Sequence, residues 1–283
     1  GFIPQDLLQT LQQNSDTKDY RARIKASEQI EKELKRLKKM NAVRSTLCRG
    51  RNLSECVAIL IAIIKDRHFK VAMTGLNVLN LLLEDLEAAD VSHHFHRILP
   101  ILVQKFGENK LVINQEMKVF KTILHKCGAG SVISTLFIHL TDENWLVRFQ
   151  VVHVIILALL TCRNDLTLDH NEVAKTMAYV LEDPKMKVRF CALHCFAILG
   201  NFLSASRLLK TIEPVISPET LHSVSQRLAD PSLPILHGSN VIFPEGSSSV
   251  DSAMPSRIAT PSETPHVSRL PSRHGLGGSR GGG

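Results

Sequence analysis

The hexapeptides Asp66-Arg-His-Phe-Lys-Val71, Asp142-Glu-Asn-Trp-Leu-Val147 and Asp183-Pro-Lys-Met-Lys-Val188 share one pattern. An acidic residue comes first, two variable and mostly polar residues follow, and the fourth and sixth residues are apolar. Asp19-Tyr-Arg-Ala-Arg-Ile24 and Glu108-Asn-Lys-Leu-Val-Ile113 repeat it. The starting positions are separated by roughly 34 to 47 residues, which is the spacing of two-helix solenoid repeats. The motif therefore predicts a stack of helical hairpins.

The order of residues inside the motif predicts where the second helix of each hairpin begins. An acidic residue at a helix start accepts backbone N–H groups and meets the positive end of the helix dipole, and Pro184 suits the first helical position. Because the fourth and sixth residues are apolar in every copy, we expect both to face the core, including the single tryptophan, Trp145. The second and third residues should form an exposed turn.

Composition agrees with an all-α fold. Hydrophobic residues make up 44% of the 283 residues, whereas aromatic residues make up only 5%, and Leu, Ile, Val and Ala suit the packing of helix on helix. Arg148 and Arg189 each follow a motif valine, as the recurrent arginine of HEAT repeats does. We predict an α-solenoid of about six HEAT-like hairpins, with about five over residues 3–202 and a degenerate one reaching residue 229.

A change in composition divides the chain into two parts. Residues 1–237 carry the repeats, whereas residues 238–283 are rich in Ser, Pro, Gly and isolated Arg, which predicts a disordered tail. The most apolar stretch, residues 151–160, is shorter than the ~20 residues that span a bilayer, so we expect no membrane partner. Because the sequence begins with Gly rather than Met, we expect a piece of a longer protein.

Nothing in the sequence indicates catalysis. No glycine-rich phosphate loop, Gly-x-Ser-x-Gly or His-Glu-x-x-His motif occurs, so we predict no enzyme, catalytic residue or cofactor. His93, His94 and His96 form a compact group, but no Cys or carboxylate spacing completes a metal site. Cys191 and Cys195 should pack as small core residues. The six cysteines are scattered among apolar patterns, which predicts reduced thiols and a cytoplasmic location.

Longer stretches around these motifs resemble the TOG domains, which are tubulin-binding HEAT arrays of microtubule regulators. Asp66-Arg-His-Phe-Lys-Val71 and Glu108-Asn-Lys-Leu-Val-Ile-Asn-Gln-Glu116 are similar to the N-terminal TOG domain of the crescerin family, the TOG-array regulators of axonemal microtubules. So are Ile3-Pro-Gln-Asp-Leu7 and Gln226-Arg-Leu-Ala-Asp-Pro-Ser-Leu-Pro234, and the resemblance covers most of residues 1–245. It implies a non-enzymatic domain of the cytoskeleton, in cilia or axonemes, that binds αβ-tubulin or microtubules through the turns inside its hairpins.

The residues of these turns form the predicted tubulin-binding edge. In many TOG domains the first turn carries a Trp followed by basic residues, and here Tyr20 takes that place with an aromatic face and a hydroxyl. A formal net charge of +7 fits an acidic partner. The predicted tubulin-binding residues are Tyr20, Arg21, Arg23, Arg67, His68, Lys70, Asn109, Lys110, Asn144, Lys185 and Lys187.

Other interpretations stay open. A HEAT scaffold for a non-tubulin protein would use the second helices more than the turns. The basic run at residues 31–39 is either a site for acidic tubulin tails or nucleic acid, or the solvated face of a helix. Net charge alone suggests nucleic acid, but without stacking platforms or a known module we expect no such partner. In the tail, Ser268, Arg269, Leu270 and Pro271 resemble the Ser-x-Ile/Leu-Pro motif of end-binding proteins' ligands, which predicts a second partner.

Overall fold

A computed structural model of the chain describes residue 11, residues 20–49 and residues 51–244. These residues form twelve α-helices, one short 3₁₀ helix and one two-stranded antiparallel sheet. In chain order the elements are α1 Tyr20–Lys39, α2 Val43–Leu47, α3 Asn52–Ile64, α4 Phe69–Asp85, α5 Ala88–Lys105, α6 Lys110–Cys127, α7 Ala129–Leu136, the 3₁₀ helix Phe137–Thr141, α8 Trp145–Thr161, α9 His170–Val180, α10 Met186–Leu199, α11 Ala205–Ile212, α12 Pro218–Ala229, β1 Ile235–His237 and β2 Asn240–Ile242.

The helices form hairpins whose second helices stack in one row. The order of this row is α1, α4, α6, α8, α10 and α12, and the first helices α3, α5, α7, α9 and α11 lie beside it. Before α1 only Leu11 is described; it is helical and packs against the core. The predicted all-α solenoid of HEAT-like hairpins is confirmed.

Stacking the second helices brings the turns inside the hairpins to one edge of the solenoid, because neighbouring hairpins repeat the same orientation. We call this surface the turn edge. Its turns, each counted with the first residues of the second helix, are turn 1 at residues 20–21, turn 2 at 65–70, turn 3 at 106–111, turn 4 at 142–145, turn 5 at 181–187 and turn 6 at 213–217.

The central helix α8 is buried on nearly all its sides, from Val147 to Leu159. A helix that is apolar all round is stable only when neighbours cover every face, and α6, α7, α10 and the β-strands pack around α8. Over the described part of the chain, no helix combines the length and the apolar character needed to cross a membrane. The apolar stretch at residues 151–160 therefore belongs to the core of the solenoid.

The sixth residue of the motif faces the core, as predicted. Val71, Val147 and Val188 are all buried. The prediction is wrong for the fourth residue in two copies, because Leu111 is 52% exposed and Met186 is 66% exposed. Each stands at the first or second position of its helix, where the helix end projects beyond the packed rows.

The aspartates of the motif order the turns rather than open the helices, contrary to the prediction. Asp66, Asp142 and Asp183 each accept the backbone N–H two residues further on, at 2.7, 2.8 and 2.7 Å. Such local bonds favour turns over helix, and the helices begin three residues after each aspartate. Pro184 therefore lies in turn 5, not at the first helical position.

Two of these aspartates also bind an arginine of the preceding hairpin. Nε of Arg23 donates to Asp66 Oδ2 at 2.6 Å and its Nη2 to Oδ1 at 3.2 Å. Arg148 makes the same two-point contact with Asp183, at 2.6 and 3.0 Å. The four side chains are 4% to 10% exposed. Buried bidentate pairs of this kind are strong and directional, so each fixes one turn against its neighbour.

Weaker bonds join two further pairs of turns. Nζ of Lys105 donates to the carbonyl oxygen of Asp66 at 3.2 Å and to Glu108 Oε1 at 2.7 Å, which links turns 2 and 3. Glu182 Oε1 accepts the Ser217 N–H at 2.9 Å, which links turns 5 and 6. Among the described residues, no hydrogen bond or ion pair joins turn 3 to turn 4.

The β-hairpin at the end of the described chain folds back over the second helices. Its strands turn at Gly238, whose φ of 69° is in the left-handed region that favours glycine. Lys121 Nζ of α6 donates to the Gly238 carbonyl at 2.9 Å, and the Phe243 ring lies 5.4 Å from that of His153 and 4.7 Å from that of His194. The predicted boundary at residue 237 therefore divides a folded hairpin, while residues 245–283 lie outside the described residues.

We call the bonds that join one turn to the next, such as the Arg148–Asp183 ion pair, turn ties. Removing the carboxylate of a turn tie should destabilise the whole solenoid. We expect Asp183→Ala to lower the free energy of unfolding by about 3–5 kcal/mol, because Arg148 is left buried without its partner. Asp183→Asn should cost less, since its amide oxygen still accepts the Lys185 N–H. Urea unfolding followed by circular dichroism measures both. Exposed Glu143 is the control, and a loss for Asp183→Ala no larger than that for Glu143→Ala would refute the tie.

Glu116 of α6 is fully buried, and neither carboxylate oxygen has a hydrogen-bond partner among the described residues. Desolvation, and secondarily Glu108, raises its pKa well above the usual value, against the opposing effect of Lys105. A carboxyl with a raised folded-state pKa loses stability as pH rises from its unfolded value, about 4.3, through the folded value. We expect the stability gain from Glu116→Gln to grow with pH. The measurement is the difference in Tm between the variant and the wild type, taken once at pH 4.5 and once at pH 8. An equal difference at both pH values would contradict this.

Candidate functional site

Most of the predicted basic residues are exposed on the turn edge. Tyr20 at turn 1 keeps 37% of its surface exposed. Glu108, Glu143 and Glu182 are exposed as well. Turns 3 and 5 therefore mix the two charges and turn 4 exposes only an acid, while turns 1 and 2 expose arginine and lysine. The predicted residues that are exposed are Tyr20, Arg21, Arg67, Lys70, Lys110, Asn144 and Lys185.

Arg23 does not belong to the exposed set. Its side chain is 4% exposed and pairs with Asp66, so it joins hairpins 1 and 2 and is unavailable to a partner protein. Sequence could not separate it from Arg21, because the two share a residue type and lie two positions apart. What separates them is Asp66, 43 residues away along the chain.

Three further predicted residues are only half exposed. The first is Asn109, which caps α6, since its Oδ1 accepts the Leu111 N–H at 2.8 Å. Asn144 of the exposed set caps α8 in the same way, with its Oδ1 accepting the Leu146 N–H at 3.0 Å. Nζ of Lys187 lies 5.8 Å from the centre of the Trp145 ring, within the range of a cation–π contact. His68, the third, contacts Tyr20.

The rings of Tyr20 and His68 stack across turns 1 and 2. Their centroids are 3.8 Å apart and their planes are 10° from parallel. The His68 ring also lies near that of Phe69, with centroids 5.4 Å apart and planes at 21°. Burial lowers the pKa of His68, reinforced by Lys70 and Arg23 and opposed by Asp66, so the imidazole is neutral at pH 7. An aromatic group therefore connects the predicted first-turn contact residue to turn 2.

Sequence reasoning missed four exposed apolar residues on or beside the turn edge. Leu111 and Met186 were assigned to the core. Ile138 and Tyr179 are 71% and 70% exposed, and each lies four residues before a motif aspartate, so the two occupy equivalent positions in consecutive hairpins. That equivalence was readable in the sequence, but exposure was not. The turn edge thus offers apolar as well as basic contacts.

The Trp145 indole packs at the surface of the hydrophobic core. It is partly buried against the core, its ring centroid is 6.1 Å from that of Phe149, and Lys187 covers it. The prediction of core packing is therefore confirmed in part. The indole stabilises the start of α8 and leaves some surface at turn 4.

The remaining clusters of the sequence have structural explanations. His94 is buried whereas His93 and His96 are exposed, and the His93 ring meets the His94 ring edge-on at 4.9 Å. Across the described residues no group of His, Cys, Asp or Glu is placed to hold a metal. Cys191 and Cys195 are buried as predicted, and burial raises the pKa of both thiols.

In the basic run at residues 31–39, Lys35 pairs with Glu31 and Arg36 with Glu33 along the same helix. These pairs favour the solvated-face interpretation. The second-helix surface that a general scaffold would use is crossed by the β-hairpin at α6, α8 and α10. Residues 268–271 lie outside the described residues.

Comparison with known proteins gives relatives of one kind. No protein-family model matches the chain. TOG array regulator of axonemal microtubules protein 1 of Homo sapiens is 30% identical over 244 residues, which is 83% of this chain and 14% of that protein. The Mus musculus protein of the same name is 29% identical over 243 residues, or 83% and 13%. The chain thus spans only a small part of the length of these relatives.

Solved structures agree with the sequence relatives. A TOG domain of crescerin, reported to use a TOG domain array to regulate microtubules in the primary cilium, superposes with a TM-score of 0.72 at 26% identity, over 86% of this chain and 96% of that one. The N-terminal domain of MAST/Orbit gives 0.64 at 17% identity, over 77% and 95%. A structure concerning TOG–tubulin binding specificity gives 0.59 at 18% identity, over 78% and 81%.

The stacked hairpins, their common turn edge and these superpositions define a TOG domain built of HEAT repeats. Within that class, the chain is homologous to the TOG array regulators of axonemal microtubules, the crescerins. The family predicted from the motifs is confirmed.

Proposed function

We propose that this chain is a non-enzymatic tubulin-binding domain that helps regulate microtubules through its turn edge. The observation that carries the proposal is the row of exposed basic residues that turns 1, 2, 3 and 5 present on one side of a crescerin-like TOG domain. The sequence relatives are named as regulators of axonemal microtubules, and the similar crescerin structure is described as regulating microtubules in the primary cilium. Both support a place for this chain in the cytoskeleton of cilia or axonemes.

The basic and the apolar residues of the turn edge have different roles in binding. Arg21, Arg67, Lys70 and Lys110 supply the positive charge of turns 1 to 3, which favours an acidic protein face such as that of tubulin. Such charges raise the association rate and set orientation more than they add affinity. The exposed side chains of Leu111 and Met186 supply apolar contact, which holds a complex after encounter.

Reversing the charge of the edge should strongly weaken tubulin binding. We expect Arg21→Glu, Lys70→Glu, Lys110→Glu and Lys185→Glu together to weaken binding of unpolymerised αβ-tubulin at least roughly tenfold, because like charges then face the acidic partner. Size-exclusion chromatography with light scattering at low salt measures the complex. Raised salt should weaken the wild-type complex too, since exposed charges are screened.

The control carries the same change in net charge elsewhere. Lys32, Lys39, Arg49 and Arg163 are exposed away from the turn edge, and their combined reversal should leave co-elution intact. Equal loss in both variants would indicate a nonspecific charge effect. Intact binding in both would place the tubulin site away from the turns. Absence of a complex with the wild-type chain would favour the scaffold interpretation, in which a non-tubulin protein binds the second helices.

The apolar contacts should matter independently of salt. We expect Leu111→Ser with Met186→Ser to weaken tubulin binding about threefold to tenfold at every ionic strength, since about 1 kcal/mol of apolar contact is lost. The free energy of unfolding should change by no more than about 0.5 kcal/mol, because both side chains are exposed. Leu166→Ser, at a fully exposed leucine of the opposite edge, is the control, and equal affinities would show that the complex does not bury Leu111 and Met186.

The tail motif at residues 268–271 supports a separate proposal, an end-binding protein as second partner. Pull-down of an end-binding protein by the full chain, and its loss in Leu270→Ala with Pro271→Ala, tests this without reference to the turn edge.

A further inference from the structure

The ring of Tyr20 stands at the first residue of α1, where a side chain receives little support from its own helix. Its neighbour across the stack is His68, at 3.8 Å between ring centroids. Tyr20 comes from hairpin 1 and His68 from turn 2 of the next hairpin. The stack therefore joins two hairpins through rings at the surface of the turn edge.

The backbone of His68 is fixed on both sides. Its N–H donates to Asp66 Oδ1 at 2.7 Å, and its carbonyl oxygen accepts the N–H of Val71 at 2.9 Å. Asp66 is itself fixed by the ion pair with Arg23. The imidazole is thus projected from a rigid turn rather than from a mobile loop.

The imidazole does not owe its place to a hydrogen bond. Its Nδ1 atom is buried and has no hydrogen-bond partner among the described residues, and an unsatisfied buried nitrogen is unfavourable. What the ring does have is aromatic neighbours, with the Tyr20 centroid at 3.8 Å and the Phe69 centroid at 5.4 Å, and Phe69 packs against the core. The three rings form a continuous connection from the core to Tyr20.

We propose that His68 is a positioning residue, which holds the Tyr20 ring in the orientation that contacts tubulin. The proposal rests on the proposed function and gives His68 a role different from direct contact. An ordered ring loses less side-chain entropy on binding than one that samples several rotamers, so the stack improves affinity without touching the partner.

Affinity for unpolymerised αβ-tubulin, measured with the full chain, tests the proposal through four variants. We expect Tyr20→Ala and His68→Ala each to weaken binding about twofold to tenfold, the range that one aromatic pair provides. The double variant should be no weaker than Tyr20→Ala alone, because His68 acts through Tyr20. His68→Phe should bind like wild type, since a phenyl ring keeps the stack and has no nitrogen to satisfy.

A readout without tubulin separates this proposal from the proposed function. The chain contains two tyrosines. In the NMR spectrum of protein with labelled tyrosine, the Tyr179→Phe variant therefore assigns the ring-proton resonances of Tyr20. Stacking should displace them upfield by the ring current, and the displacement should disappear in His68→Ala and persist in His68→Phe.

Four results would overturn the positioning role, and three of them concern His68. These are unchanged Tyr20 resonances in His68→Ala, tubulin affinity reduced by Tyr20→Ala but not by His68→Ala, and additive losses in the double variant. Wild-type affinity in Tyr20→Ala would overturn it as well. In that case, loss of binding in the charge-reversed variant would show that the turn edge still binds tubulin without Tyr20.

Discussion

The turn edge depends on carboxylates that make two kinds of bond at once. Asp66 and Asp183 each accept a backbone N–H of their own turn and a guanidinium of the preceding hairpin. The first bond sets the shape of the turn, and the second sets its position relative to its neighbour. Burying these charges is costly, and the cost is offset only because every oxygen has a donor. Shape and register are therefore fixed by the same atoms.

Because the same aspartate makes both bonds, exposed residues recur at equivalent positions of the motif. Once the aspartate fixes the turn, the helix starts three residues later, and the sixth residue of the motif must point into the stack. The second and third residues, together with the fourth in turns 3 and 5, are left at the surface. A partner protein thus meets side chains that vary in identity, such as Arg67 and Lys185, on a backbone that does not.

Much of this could be predicted from sequence because the signal was repeated. Five motif copies predicted the hairpins, the buried valines and the side of the solenoid on which basic residues collect. Predictions failed where the answer depended on a contact distant in sequence. Arg23 looked like a contact residue because its partner Asp66 is 43 residues away, and the β-hairpin at residues 235–242 was missed because its strands are three residues long and are held by α6 and α8 rather than by their own pattern.

The ties also divide the edge into two parts. Arg23, Lys105 and their partners connect turns 1 to 3, and Arg148, Glu182 and their partners connect turns 4 to 6, whereas the described residues show no such bond between turns 3 and 4. At that junction Gly107 approaches the Asn144 amide so closely that a Cβ would lie 3.1 Å from it. The angle between the two parts is then determined by the packing of α6 against α8 and by the β-hairpin, whose contacts with Lys121 of α6 and His153 of α8 span the same junction along the row of second helices. Under the proposed function, a rigid tubulin could match both parts of the edge only at one angle, so the β-hairpin would belong to the determinants of binding although it lies away from the turns.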